Sequence, residues 1–186
     1  MKTISRRHVI LTLSSATITL CPALLNAQAV EFDWGEDVPT NVPRGEDQTV
    51  MLAAGETDVD ISSLTAGQVA VIGRPTDDPE YSNTDGIQYV AVLRRTDAQI
   101  EQGAPEQAVA DPRFFVANLV CPHRGYAVGV TDLEVAPFAC TKRGSRHGSV
   151  FNAGGFGVAG RSEGDFLSVP DYQINDNGGQ IILTLV

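Results

Sequence analysis

Two short loops between residues 119 and 151 constrain this chain more than any other feature. The first reads Cys121-Pro122-His123-Arg124-Gly125-Tyr126, and the second runs from Cys140 through Thr141-Lys142-Arg143-Gly144-Ser145-Arg146 to His147-Gly148-Ser149-Val150-Phe151. Each loop offers one thiol and one imidazole. After residue 29 the chain has no other cysteine or histidine, and these four fall within 27 consecutive residues. Any fold for the chain has to account for that pairing.

Two thiolates and two imidazoles drawn evenly from two loops suit a two-iron, two-sulfide cluster, one iron taking both Cys and the other both His. Two other readings use the same residues. In an oxidising compartment a lone cysteine pair predicts a Cys121–Cys140 disulfide, although this leaves the neighbouring histidines without a role. A mononuclear zinc site is the other, but Cys-x-His is not one of the usual structural zinc spacings.

Compartment therefore matters, and residues 1–29 speak to it. Lys2, Arg6 and Arg7 form a basic front, residues 9–25 are mostly apolar, and Ala27-Gln28-Ala29 is a small-residue cleavage site, the pattern of an export signal. Ser5-Arg6-Arg7 adds a twin-arginine pair, pointing to the Tat route into the periplasm. That route resembles the one used for proteins exported already folded around a cofactor. An uncleaved membrane anchor is the competing reading. The apolar run lies near the lower end of the about 17–25 residues that span a bilayer, and Pro22 and the cleavage site weaken it. Leu20, not a small residue, precedes Cys21, so no lipoprotein signal is expected.

Removal of residues 1–29 would leave one domain, which at this size buries roughly two-thirds of its unfolded surface. With ten basic residues against 23 acidic ones, the mature chain carries a net charge of −13. So acidic a body argues against nucleic acid or anionic membrane surfaces as partners, and leaves membrane contact to a partner or to an uncleaved anchor.

Residues 30–56 read as an acidic arm, broken by Pro39, Pro43 and Gly45, with a strand predicted only at 49–53. Trp34 is read as an apolar anchor packed onto the domain. From residue 58 the pattern is all-β. Strands are predicted at 58–61, 68–73, 89–95 and 113–120, and a closing hairpin at 165–174 and 180–186 over a turn at 175–179. Residues 74–87 read as a loop ending in the Asp85-Gly86 turn signal. Thr96-Asp97-Ala98-Gln99 has capping-box spacing and predicts one short helix over 96–102, with Gly103 as its stop; residues 103–112 read as loop. Gly154-Gly155 and Gly157 lack a following helix and are read as turn glycines rather than a phosphate cradle.

Val59-Asp60-Ile61-Ser62-Ser63-Leu64 with Gly67-Gln68-Val69, Val92-Leu93-Arg94-Arg95-Thr96 with Ile100, the Cys121-x-His123-x-Gly125 box and the His147-Gly148-Ser149-Val150-Phe151 box followed by Gly154-Gly155 together carry a family resemblance. Residues 57–186 resemble a Rieske iron–sulfur domain, most closely the iron–sulfur subunits of respiratory quinol:cytochrome c oxidoreductases. The resemblance implies an antiparallel β-sandwich with a small inserted cluster-binding subdomain at about 119–156. It also implies a [2Fe–2S] cluster held by Cys121, His123, Cys140 and His147, with Gly125, Gly148, Ser149 and Phe151 around it. The chain departs from the family pattern in three ways. Six residues separate Cys140 from His147 where the family has two, Tyr126 stands where the family has half of an inter-loop disulfide, and Phe151 replaces a tyrosine.

The resemblance further implies one-electron transfer within an exported respiratory complex, as a subunit rather than as a catalyst on its own. Its redox partners would be a c-type cytochrome and a cytochrome b-type quinol oxidase subunit, or the molybdenum subunit of an enzyme such as arsenite oxidase. Loss of the tyrosine hydroxyl at Phe151 predicts a potential below the top of the ~−150 to +300 mV Rieske range. Arg124, Lys142, Arg143 and Arg146 predict a basic docking tip on the acidic body. Arg124, where quinol-oxidising relatives place an apolar residue, makes direct quinol oxidation the less secure part.

Overall fold

The computed structural model of the protein describes residues 49–78, 86–142 and 147–186. The expected signal, Trp34, Asp85 and the Arg143 to Arg146 stretch lie outside the described residues.

Two strands form the centre. β4 (Ile87–Arg94) and β5 (Phe114–Asn118) pair antiparallel, with Leu93 opposite Phe115 and Ala91 opposite Ala117. Neither shows the apolar/polar alternation of a half-solvated strand, and a continuous apolar run is what a strand covered on both faces requires. All five residues of β5 are buried. Val90, Val92, Phe114 and Val116 pack to one side, with Ile72, against Val59, Ile61, Leu183 and Leu185. Ala91, Leu93, Phe115 and Ala117 pack to the other, against Cys121, Phe138, Cys140 and Phe151. One central sheet therefore serves two apolar cores, and the second core contains both thiols.

The central sheet has the order β1-β3-β4-β5, with β1 at Thr49–Met51 and β3 at Val69–Pro75. A second sheet joins β2 (Asp58–Asp60) to the C-terminal hairpin in the order β10-β11-β2, with β10 at Tyr172–Asp176 and β11 at Ile181–Leu185. The third sheet is a meander of short strands: β6 (Val128–Val130), β7 (Phe138–Cys140), β8 (Val150–Phe151) and β9 (Gly157–Ala159). The described chain is thus all-β with one short helix.

One pair is parallel, and it involves the stretch read as the N-terminal arm rather than residues 57–186 alone. β1 pairs with β3 in parallel, Thr49 opposite Val71 and Met51 opposite Gly73. The chain between them passes through β2 in the second sheet, and such a crossover permits a parallel partner where a tight turn cannot.

The helix α1 (Asp97–Glu101) forms as the capping box predicts: the Gln99 N–H donates to the Thr96 hydroxyl at 3.3 Å, and the Thr96 N–H donates to the Gln99 side-chain oxygen at 2.9 Å. Gln99 is itself buried and donates to the Glu134 carbonyl, tying the helix to the connection between β6 and β7. The 103–112 segment is not all loop, because Glu106–Val109 makes a turn of 3₁₀ helix that buries Ala108. The closing hairpin is shorter than expected, its first strand beginning at Tyr172 rather than at residue 165. Residues 165–168 are bonded elsewhere: Gly157 N–H donates to the Asp165 carbonyl, Leu167 N–H to Gly155 and Asn118 N–H to Ser168. Pro170, with no N–H, then separates that stretch from β10.

An ion pair joins the start of β5 to the hairpin. Arg113 donates to the Asp111 carboxylate at 2.6 Å and to Asp176 at 3.1 Å. The Arg113 hydrogen bond holds the Asp111 carboxyl below its usual pKa. A carboxyl depressed in the folded state stabilises the fold above its unfolded value, about 3.9, and loses that contribution as pH falls through the lower folded value. Because the pair is near the surface, Asp111→Asn is expected to cost about 0.2–1 kcal/mol at pH 7. Urea unfolding at pH 7 and at pH 2.5 checks this; the difference between variant and parent should shrink at the lower pH.

Candidate metal centre

The first loop follows directly from β5. Val120 and Ala127 bridge antiparallel, and between them the Cys121 N–H donates to the Tyr126 carbonyl at 2.7 Å. The Gly125 N–H returns to the Cys121 carbonyl at 2.8 Å, with Gly125 at φ +67°. That left-handed turn needs glycine and closes the Cys-x-His-x-Gly box on itself. Cys121 ends up buried, while His123 is half-buried and Arg124 is exposed.

The second loop leaves from the end of β7. Cys140 is the last residue of that strand, stands opposite Val128, and donates its N–H to the Ser149 carbonyl at 2.8 Å. Thr141 donates both its N–H and its hydroxyl to the Ala127 carbonyl, each at 2.9 Å, so the two loops share a backbone seam. The long Cys140–His147 spacing is drawn together at its ends: the Gly148 N–H donates to the Lys142 carbonyl at 3.1 Å. Gly148, at φ +85°, supplies the turn.

The four side chains that the sequence singled out are brought together. The His123 and His147 rings lie 5.6 Å apart between centroids. Cys121 and Cys140 are both buried and are not joined in a disulfide, and they interact closely enough that Cys140 is the main influence on the Cys121 thiol. The thiols belong to the inner core and the imidazoles to the solvent boundary.

The electrostatics suit cation ligation. Hydrogen bonding from Cys140 first, then from Ser162 and the His123 N–H, holds the Cys121 thiol well below its usual pKa, against burial, which raises it. The thiolate is the metal-binding form. Burial, followed by the nearby His123, Arg124 and Lys142, lowers the His147 pKa, opposed by Cys121. A neutral imidazole is likewise the ligating form. The Nδ1 of His147 is buried and has no hydrogen-bond partner among the described residues. A buried imidazole nitrogen left unpaired costs free energy unless something there accepts its lone pair or proton.

Among the described residues, no three His, Cys, Asp or Glu side chains stand close enough to hold one metal ion. A two-iron centre taking two protein ligands at each iron does not need such a triad.

Of the surrounding residues expected from sequence, Ser149 is buried beside the thiols and Phe151 is buried in the core, its register with Phe138 and Gly157 forming a bulge in β8. Two participants were not legible in the sequence. Ser162, fifteen residues beyond His147, is fully buried with its hydroxyl 3.5 Å from the Cys121 sulfur. Tyr126 meets the His147 ring edge-on at 5.1 Å and carries the Lys142 ammonium over its face at 5.7 Å. It was read only as the residue standing in for a missing cysteine, and its ring in fact spans the two loops.

No family model matches the chain, and no curated protein matches it either. Among the described residues no helix is long and apolar enough to cross a membrane.

Proposed function

We propose that the protein is a one-electron carrier of Rieske type, the iron–sulfur subunit of an exported redox complex. The observation that carries this reading is the convergence of one buried thiol and one boundary imidazole from each of two loops, with a buried ring nitrogen on His147 that has no partner among the described residues. Cys121 and Cys140 would hold one iron of a [2Fe–2S] cluster, and His123 and His147 the other. The cluster, when bound, supplies a one-electron couple within the broad ~−150 to +300 mV range of such centres.

The chain's own residues would do the rest. Core packing around the thiols excludes water from one side, while the half-buried imidazoles put the other side at the surface, where a partner can approach. Ser149 offers a buried hydroxyl that would stabilise added negative charge, whereas Phe151 offers none, which keeps the potential below the top of the range. Arg124 and Lys142 are exposed around the imidazoles and would steer an acidic partner face. That partner would be a quinol-oxidising cytochrome b-type subunit with a c-type cytochrome, or a molybdenum subunit, in the periplasm after Tat export.

Low-temperature EPR of the dithionite-reduced protein, with iron and sulfide analysis, tests the reading. A rhombic signal with an average g well below that of all-cysteine ferredoxins supports mixed Cys/His ligation. A colourless, iron-free protein with a Cys121–Cys140 disulfide overturns it and leaves a cluster-free β-domain.

Tyr126 would act as a non-covalent tie between loops that have no disulfide between them. Edge-on aromatic contact and a cation over a ring contribute about 0.5–1.5 and 0.5–1 kcal/mol respectively. Tyr126→Ala is therefore expected to speed loss of the centre roughly five- to sixtyfold on warming, and Tyr126→Phe is expected to behave as the parent. Decay of the visible absorbance measures both.

A further inference from the structure

Three polar atoms lie beneath the Cys121 sulfur in a space otherwise closed to water. The Ser162 N–H donates to the Ser149 hydroxyl oxygen at 3.1 Å, and the Ser149 hydroxyl donates to the Ser162 oxygen at 3.0 Å. The Ser162 oxygen lies 3.5 Å from the Cys121 sulfur. Ser149 is 1% exposed and Ser162 is 0% exposed, so no solvent competes for these groups.

The donor directions follow from counting protons. Ser149 spends its single hydroxyl hydrogen on Ser162, and Ser162 receives it on an oxygen lone pair. The Ser162 hydrogen is left to point elsewhere, and Cys121 is the neighbour on that side. A metal-bound thiolate has no proton to give and can only accept. The chain therefore runs in one direction, from Ser162 N–H through the two hydroxyls to sulfur, and hydrogen bonds arranged in series polarise one another.

The turn that carries Ser162 is locked against the second loop. Ser162 ends a short 3₁₀ turn, Gly160–Ser162, directly after β9. At Gly160, φ +81°, an added Cβ would run into the Gly148 backbone, and at Gly157 it would strike the Ser162 carbonyl. Glycine at both places lets the turn press on the loop that carries His147. Ser162 is thereby held by backbone packing on the second loop and by its bonds to Ser149.

We infer that Ser162 is a positioning and tuning residue of the centre: relayed by Ser149, its hydroxyl donates to the Cys121 sulfur and raises the reduction potential, supplying a hydroxyl where Phe151 has none. The inference rests on the Rieske-type reading above. Its mechanism is that a hydrogen bond to sulfur stabilises the more negative reduced state.

The test is an EPR-monitored redox titration of the purified full chain and of Ser162→Ala, Ser149→Ala and the double variant. Ser162→Ala is expected to keep its iron and rhombic signal while its reduction equilibrium constant falls about fivefold, one net hydrogen bond, or roughly 40 mV at 59 mV per tenfold. The double variant should fall by less than the two single shifts added together, because Ser149 acts partly through Ser162. A Ser162→Ala midpoint equal to the parent's, with Ser149→Ala shifted, overturns the inference. Should Ser162→Ala not fold, Ser162→Cys takes its place, since a thiol fills the site but is only a weak donor: a lowered midpoint supports the donor, and one equal to the parent's overturns it. A parent chain without iron fails at the earlier reading instead, so the two failures are distinguishable.

Discussion

Replacing His147 with alanine is expected to abolish the iron signal while leaving the fold standing. His147 is half-buried at the outer edge of the second loop, and its ring contacts are with His123 and Tyr126 rather than with either core. Removing the imidazole would leave one iron with a single protein ligand. Disturbing an outer-shell partner of a metal ligand already costs roughly 10–100-fold in affinity, and loss of the ligand itself should exceed this. Iron and sulfide content and the reduced EPR spectrum should fall to background, with far-UV circular dichroism unchanged. Arg124→Ala is the matched control, since Arg124 is exposed in the same neighbourhood and is no candidate ligand. Full iron occupancy with an unaltered spectrum in His147→Ala would sink the ligand assignment. The result would also bear on the long Cys140–His147 spacing, because only a loop that closes can make His147 matter.

Truncating Phe138 to alanine is expected to cost about 3–5 kcal/mol, the range for a fully buried aromatic. Phe138 begins β7, two residues before Cys140, and is 0% exposed. Its ring meets Phe115 at 5.7 Å, and Phe115 in turn presses on Gly155, where an added Cβ would clash with the ring. The cavity would therefore open between the central sheet and the strand that delivers a candidate ligand, in a place where neighbours on both sides are already fixed. Against a total stability of about 5–15 kcal/mol this is a large fraction. Urea denaturation should show a lower midpoint with the slope unchanged. A loss below about 1 kcal/mol, the size expected for a volume-conserving change, would mean that this core is looser than its burial implies.

The expectations that the structure bears out rest on short-range physics. The capping box at Thr96–Gln99 forms because both of its bonds lie within one helical turn. β5 is legible because an unbroken apolar run of that length has to be covered on both faces. The closing hairpin is found, but it starts later than its sequence suggests: residues 165–168 look strand-like, and only their bonds to Asn118, Gly155 and Gly157 show that they pair with β5 and with the stretch around β9 instead. The parallel β1–β3 pairing was likewise hidden, since it depends on β2 crossing to another sheet.

The same division holds at the candidate centre. Cys121, His123, Cys140 and His147 announce themselves by residue type and spacing, because thiols and imidazoles are chemically distinct wherever they sit. Gly125 and Gly148 entered through the family boxes, and the structure gives the physical reason, each standing at a left-handed turn that other residues resist. Ser162 and the bridging ring of Tyr126 were not. Serine is common and chemically ordinary, so its meaning comes from being 0% exposed and 3.5 Å from a particular sulfur. What the chain by itself determined is the set of groups that could bind iron and the strands that could carry them, since both depend on local composition. Which hydroxyl faces which thiolate, and which ring spans which loop, was decided only when residues 41 apart were packed into one dry interior, where unpaired polar groups are too costly to leave to chance.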